Sequence, residues 1–499
     1  MELCFIADTG RGSLKETDRR AIRSHVMKGK NLGRWRSLGS RPRQRQLKQL
    51  GDRRENAWPP SDPSTSNPNS RISYFSSRSS ADVAISPGIL VPLAVPRKLG
   101  SGASTMSLAD SVPPGIFDIV LRFSSIAKQL LFSLETCIFF DRRAENWVAP
   151  LAVDAAFLHA NISNSLYYCD VVLARTTPRA SQRAWHYHHT KTLSLLRDRL
   201  DSDDGAMQLS NSTVAVILTL AGQAFCTGDL KTAMKHMEGI RRIVGLRGGF
   251  GTFKGNEKLV TEILRCDLGM MLHSGTKSLL LTPPLDDAWP YPPLSLFLNE
   301  HKTSPNADNH NSMDLRGLAG IPIDGQLSSV WNTMSEFCAV INLAAVTKRC
   351  ITVDVFLTSM ASVMYRLVDM QFEHLSATSE VIRLGLLCFC CSVFLPWRRL
   401  GVSLPHLASS VKRAFLGLNG TGLPASQQRL TLWLLMAGSV SVLGDEDEDE
   451  DWLRPLLRRA ACSLELGSWD QARRSLSSLM WIDIVHDKAG KRVFEAALS

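Results

Sequence analysis

The chain has 499 residues with 57 Lys+Arg against 47 Asp+Glu, a formal net charge of +10, and a hydrophobic fraction of 44%, which excludes collagen-like and wholly disordered classes and predicts a folded core. The charge is unevenly spread: residues 1–60 hold 15 Lys+Arg and 6 Asp+Glu, a balance of +9, which leaves +1 for all the rest. Basicity therefore belongs to one segment and not to the fold.

The N-terminal stretch carries that charge as Lys28, Lys30, Arg34, Arg36, Arg41, Arg43, Arg45 and Lys48, with Trp35 among them. Such a polycation suits nuclear import or phosphate-backbone attraction, and no sequence-reading geometry accompanies it. Gly29, Gly33, Gly39 and Pro42 interrupt any long helix there. Four prolines and nine serines follow in Trp58–Ser80, a composition that cannot bury enough apolar surface to offset its ordering entropy. Ile85 to Pro96, with three prolines, reads as an extended segment on a surface and not as a strand in a sheet. Residues 1–114 are thus expected to form a basic, mostly disordered arm.

From about 115 to 499 the pattern changes to apolar-periodic segments separated by short Gly, Pro or Asp turns. The first expected helices are Phe117–Phe140, Leu151–Leu173 and Arg183–Leu200. The clearest unit is the pair Ser212–Cys226 and Leu230–Val244. In its second member Leu230, Ala233, Met237, Ile240 and Val244 share one face, while Lys231, Lys235 and Arg242 fall on the other. The link Thr227-Gly228-Asp229 supplies a turn and a cap, so the pair predicts an antiparallel αα-hairpin. Helices follow at Asn256–Leu272, Ser329–Leu343, Val353–Asp369, Thr378–Leu395, Leu404–Leu416, Ser426–Val442, Trp452–Leu466 and Asp470–Val485. A Pro- and Asn-rich insertion, about 283–322, parts them into two groups. No period-2 alternation with hairpin turns supports a sheet, and the hairpin has no second copy at the spacing of a solenoid. The expected fold is all-α, an irregular bundle of helix hairpins.

The eleven cysteines have no paired spacing, and the first 30 residues have no continuous apolar run, which predicts free thiols in a reducing compartment and no secretory leader. The most apolar run, Leu384–Trp397, falls short of the ~20 residues needed to cross a bilayer and reads as a buried helix, so no membrane association is expected.

Chemistry-bearing motifs are few. In Trp185-His186-Tyr187-His188-His189 only His186 and His189 share a helix face and no further ligand completes a metal set, so partly buried, non-ligating histidines are expected. Cys388, Cys390 and Cys391 sit in an apolar segment and read as core. Gly249 to Gly255 imitates a dinucleotide loop but has the wrong spacing and follows a helix, so it reads as a turn. No phosphate-binding loop, nucleophile elbow or HExxH zinc motif occurs. The acidic run Asp445 to Asp451 reads as a solvated loop, with a basic partner or the basic arm as the sharper alternative. No catalytic residues, cofactor or metal are expected.

The stretch His236-Met237-Glu238-Gly239-Ile240-Arg241-Arg242-Ile243-Val244-Gly245-Leu246-Arg247-Gly248-Gly249 resembles the signature of the fungal-specific transcription factor domain in the second of its two common forms. Leu209 to Thr213 and Gly228-Asp229 are similar to the same family's hairpin, and weaker matches lie at Arg23 to Asn31 and Trp481 to Asp487. The resemblance implies an all-helical regulatory region of a nuclear transcription regulator, usually downstream of a zinc-cluster DNA-binding module with six cysteines. Only Cys4 lies in the first 136 residues, so that module is not expected here. The resemblance further implies control of a metabolic or secondary-metabolite gene set, with other transcription factors or a homodimer partner as contacts and any DNA contact not sequence-specific through this chain alone. The alternatives are a non-DNA-binding cofactor or scaffold for a zinc-cluster factor and, from another class, a helical enzyme without recognisable motif.

Overall fold

The computed structural model describes residues 91–92, 107–140, 144–169, 179–281, 285, 288–299, 323–417, 425–443 and 447–499. All of them belong to one compact unit, 82–499. The basic residues Lys28 to Lys48 lie outside the described residues.

The fold is all-α. The first group of helices comprises α1 (Pro114–Leu131), α2 (Ala149–Val153), α3 (Ala155–Tyr167), α4 (Arg179–Leu200), α5 (Gly205–Gln208), α6 (Asn211–Cys226), α7 (Leu230–Arg247) and α8 (Glu257–Ser274). After the short α9 (Ser295–Asn299) come α10 (Gly325–Thr347), α11 (Val353–Asp369), α12 (Ala377–Phe394), α13 (Pro405–Gly417), α14 (Ala425–Ser441), α15 (Asp447–Ser463), α16 (Trp469–Ser477) and α17 (Asp483–Leu498). In the first group α3 packs on α1, α4 and α6, and α6 pairs with α7; in the second α12 and α14 are central. Helix α8 joins the groups by packing on α6, α11 and α13. One contiguous core runs through both, with Trp331, Trp433, Phe389 and Trp481 fully buried.

Several boundaries follow from caps. The expected helix over Leu151–Leu173 breaks at Asp154, whose extended backbone starts α3 and whose Oδ1 accepts from Phe157 N–H at 3.0 Å. The same buried carboxylate receives Arg199 at 2.5 Å and Ser212 Oγ at 2.5 Å, tying the start of α3 to α4 and α6. Asp229 caps α7 through Thr232 N–H at 3.0 Å, as the hairpin link predicts.

Three expectations are corrected. The sheet, although tiny, exists: β1 (Val91–Pro92), β2 (Ile138–Phe139) and β3 (Arg349–Thr352) align in the order β1-β3-β2, antiparallel for Val91↔Cys350 and parallel for Ile138↔Ile351. Strands of two to four residues are too short to show alternation, and the helix expected over Phe117–Phe140 stops at Leu131, with a short 3-10 turn before β2. The last expected helix, Asp470–Val485, is two helices, because Trp433 Nε1–H bonds Met480 O at 2.5 Å and pins the 478–482 linker while Trp481 fills the core. The acidic run is not wholly a loop: from Asp447 its backbone opens α15, where negative charge favours the helix N-terminus.

Residues 107–113, expected at the end of the arm, are packed on the domain, with Leu108, Ala109 and Val112 against the core. Part of the 283–322 insertion is likewise packed, since Leu285, Leu294 and Phe297 are buried. Helix α12 is the one described helix long and apolar enough to cross a membrane, and 78% of that window is buried inside the bundle.

Candidate effector site

The hairpin α6–α7 contains the residues singled out by sequence. Met237 and Ile240 are buried, whereas Arg241 and Arg242 are exposed, with Arg241 paired to Glu238 on the same helix. His236 and Gly239 are half-buried on α7. Gly248 and Gly249 take φ of +91° and +100°, conformations that L side chains rarely adopt, and Gly249 N–H returns to Val244 O at 2.9 Å to close the helix. Arg247 then holds the exit. Its Nη1 donates to Asn211 Oδ1 at 2.7 Å and Leu209 O at 3.2 Å, its Nη2 to Thr252 O at 3.0 Å, and its guanidinium lies 3.7 Å from the Phe253 ring centroid. These signature residues build the hairpin, and none of them is among the residues that line the cleft beside α6. The loop from Gly249 to Gly255 is a turn, as its spacing implies.

The partner helix α6 forms one wall of a cleft of about 350 Å³, shared with α1, α3, α8 and the segments around Trp147 and Trp397. Aromatic rings dominate its lining, among them Phe123, Phe132, Phe157, Tyr168, Phe225 and Trp397. Polar residues stand between the rings, among them Glu135, Asn164, Asn256, Lys258 and Glu262. Asn146 Nδ2 is committed to Gly255 O at 3.1 Å and Asn161 Nδ2 to Phe157 O at 2.8 Å. The Tyr168 hydroxyl is buried without a hydrogen-bond partner, and burial pushes its pKa above the ordinary tyrosine value. A buried unpaired hydroxyl is costly, and because this oxygen has no accessible surface, a ligand in the cleft bonds it only after a neighbouring side chain moves. Behind the wall, Arg265 is fully buried: its Nη2 donates to Leu131 O at 2.6 Å, its Nη1 reaches Glu262 at 3.3 Å, and its guanidinium lies 4.8 Å from the Phe132 ring centroid. Burial lowers its pKa against the pull of Glu262. A cleft of this size, walled by aromatic rings with polar side chains between them, fits the binding of a small aromatic molecule.

The histidine-rich segment is wired differently from its spacing. His186 is exposed and His189 bonds Gln223 at 3.1 Å, while His188, expected to diverge, points inward to His159 on α3 with Nδ1–Nδ1 2.6 Å apart. His159 Nε2 contacts Asp110 Oδ2 at 3.2 Å, and Lys191 pairs with the same oxygen. The carboxylate accepts, so His159 carries its proton on Nε2 and receives His188 Nδ1–H at Nδ1. Burial pushes His188 down to about 4, with His159 and Lys191 acting in the same direction, and burial also lowers His159 against the pull of Asp110. The hydrogen bonds from Lys191 and His159 hold Asp110 well below the usual carboxylate range. Among the described residues no group of three or more His, Cys, Asp or Glu could hold a metal ion.

Ser392 Oγ and His486 Nε2 lie 2.7 Å apart, a spacing that resembles a nucleophile with its base. The wiring opposes that chemistry. His486 Nδ1 accepts from Ile482 N–H at 3.1 Å, so the imidazole proton sits on Nε2, and Ser392 donates to Phe389 O at 2.6 Å. Cys388, Cys390 and Cys391 are buried core thiols, and burial pushes Cys388 up to about 12.

The chain matches no family model, no curated protein and no solved structure.

Proposed function

We propose that the chain is a nuclear transcription regulator of the fungal-specific kind, controlling a metabolic or secondary-metabolite gene set through protein contacts, and that its helical domain senses a small aromatic effector in the cleft behind α6. The observation that carries this reading is structural continuity. The hairpin bearing the resemblance is intact, capped and anchored by Arg247, and its α6 is a wall of an aromatic cleft with the unsatisfied Tyr168 hydroxyl. The balance of +9 in residues 1–60 favours the basic arm as the source of general DNA attraction.

The test is chromatin occupancy and transcript profiling of the intact protein, with and without candidate zinc-cluster partners. Occupancy at a defined gene set whose transcripts change on deletion supports the proposal. Because the chain has one cysteine in its first 136 residues, the second reading is a cofactor that reaches DNA only through such a partner, and occupancy lost on removing the partner selects it. No occupancy and no transcript change overturns both.

A further inference from the structure

The segment after α1 and the segment between α10 and α11 meet at the small sheet, and each brings a cysteine to the same rung. Strands β2 and β3 run parallel, with Ile138 opposite Ile351 and Phe139 opposite Thr352. Cys137 directly precedes the first pair on one side and Cys350 on the other, so continuing the register by one residue sets the two side by side. Neighbouring strands lie about 4.8 Å apart, inside the roughly 4.4–6.8 Å that separates the Cα atoms of a disulfide. The sulfur positions agree. Cys350 Sγ–H donates to Thr136 O at 3.6 Å, the carbonyl of the peptide that enters Cys137, and Cys137 Sγ lies 3.9 Å from Thr136 Oγ1. The 3-10 turn Glu135–Cys137 that carries the first thiol packs on α10 and on β3.

Both thiols are free and buried, yet each lies at the edge of the core: Cys137 follows the exposed Thr136, and Cys350 follows the exposed Lys348 and Arg349. Their surroundings set an order of ionisation. Burial raises the pKa of Cys137, while the Thr136 hydroxyl and the Lys348 ammonium pull it back. Burial pushes Cys350 up to about 11, and the charges of Cys137 and Glu135 act in the same direction. Opposed influences at one thiol and reinforcing ones at the other make Cys137 the first thiolate, and the thiolate is the nucleophile.

We infer that Cys137 and Cys350 form a peroxide-oxidisable pair that closes into a reversible disulfide across β2 and β3. The Cys137 thiolate attacks one oxygen of hydrogen peroxide, the O–O bond breaks, and hydroxide leaves a sulfenic acid behind. The Cys350 thiolate then attacks that sulfur, the S–O bond breaks, and a second hydroxide departs. Two thiols have lost two electrons and two protons, and one peroxide has become two waters. A dithiol restores both thiols by exchange. The bond ties the segment 132–140, whose Phe132, Glu135 and Phe140 line the aromatic cleft, to the α10–α11 connection. It does not depend on the transcriptional reading.

The test uses the full chain, reduced, freed of reductant and exposed to hydrogen peroxide at low protein concentration. Non-reducing peptide mapping of the monomer is expected to find a Cys137–Cys350 cross-link that dithiothreitol removes. The oxidised protein should unfold at a higher urea concentration than the reduced one, because the bond restricts the unfolded chain. Cys350→Ser should abolish both the cross-link and the shift and leave Cys137 as a sulfenic acid trapped by dimedone, whereas Cys137→Ser should abolish the cross-link with no trapped acid at Cys350. Circular dichroism establishes that each variant is folded, and mapping of the unsubstituted chain decides the matter without them. A folded chain in which the two thiols stay reduced, stop at sulfenic or sulfinic acid, or link to other cysteines overturns the inference, as does a urea shift that persists in either folded variant.

Discussion

His188 donates to His159 across 2.6 Å between their Nδ1 atoms, joining α4 to α3 inside the first helical group. Neither imidazole can take up a proton there without placing a cation in a buried site beside Lys191. An unfolded histidine titrates near 6.5 and folded His188 near 4, so between those values the unfolded chain binds a proton that the folded one does not. Stability is therefore full above about pH 6.5, falls as the pH drops toward 4, and gains no further loss from this group below that. The loss is at most about 3 kcal/mol. Urea unfolding across pH 4 to 7.5 measures it, and His188→Gln should flatten the slope between pH 6.5 and 4.5. A wild-type curve that is flat over that interval contradicts the wiring.

Asp154 is the firmest polar joint of the same group. Burial raises its pKa, but the bonds from Arg199, Ser212 and Phe157 N–H outweigh that and lower it. Asp154→Ala removes the α3 cap and leaves Arg199 nearly buried without its partner, a combination expected to cost about 3–5 kcal/mol. Asp154→Asn keeps the cap and the Ser212 bond and should cost less. Chemical denaturation of the two variants orders them, and equal midpoints for Ala and wild type would refute the joint.

How much of this was legible in the sequence depends on distance along the chain. The α6–α7 hairpin was, because its link, its cap Asp229 and its apolar stripe lie within about two turns of each other. Helix α17 was not, beyond its first residues, since only tertiary packing of Trp481 and the Trp433–Met480 bond decides where the preceding helix stops. The histidine segment shows the same limit in chemistry. Its density was visible, but His188 is sorted from His186 by His159, 29 positions away, and by Asp110, 49 positions before that. The aromatic cleft escaped for this reason, because Tyr168, Trp397 and Phe123 carry no local pattern and only the fold brings them to one space.

The signature arginines should separate in stability. Arg247 makes three hydrogen bonds and lies over Phe253, so Arg247→Ala is expected to destabilise by about 2–3 kcal/mol, with Arg247→Lys recovering only part because a lysine cannot span three acceptors. Arg241→Ala and Arg242→Ala, at exposed positions, should stay within about 0.5 kcal/mol. Thermal unfolding of the three alanine variants decides this, and equal effects would mean that Arg247 is not an anchor.

Two substitutions test the aromatic cleft from opposite sides. A Cβ at Gly269 on α8 would overlap the indole of Trp397, so Gly269→Ala must push that ring toward the space it lines, at a cost of about 1–3 kcal/mol. Tyr168→Phe removes a hydroxyl that has no partner, and should leave stability unchanged or raise it by about 1 kcal/mol. If the cleft takes an aromatic effector through that hydroxyl, 2-naphthol should bind wild type, bind Tyr168→Phe several-fold more weakly, and fail to enter Gly269→Ala. The change in tryptophan emission from Trp397 and Trp147 offers one readout and calorimetry another. Binding of 2-naphthol that is undiminished in both folded variants would place its site elsewhere, because one variant alters the cleft's shape and the other removes the buried hydroxyl of a lining residue.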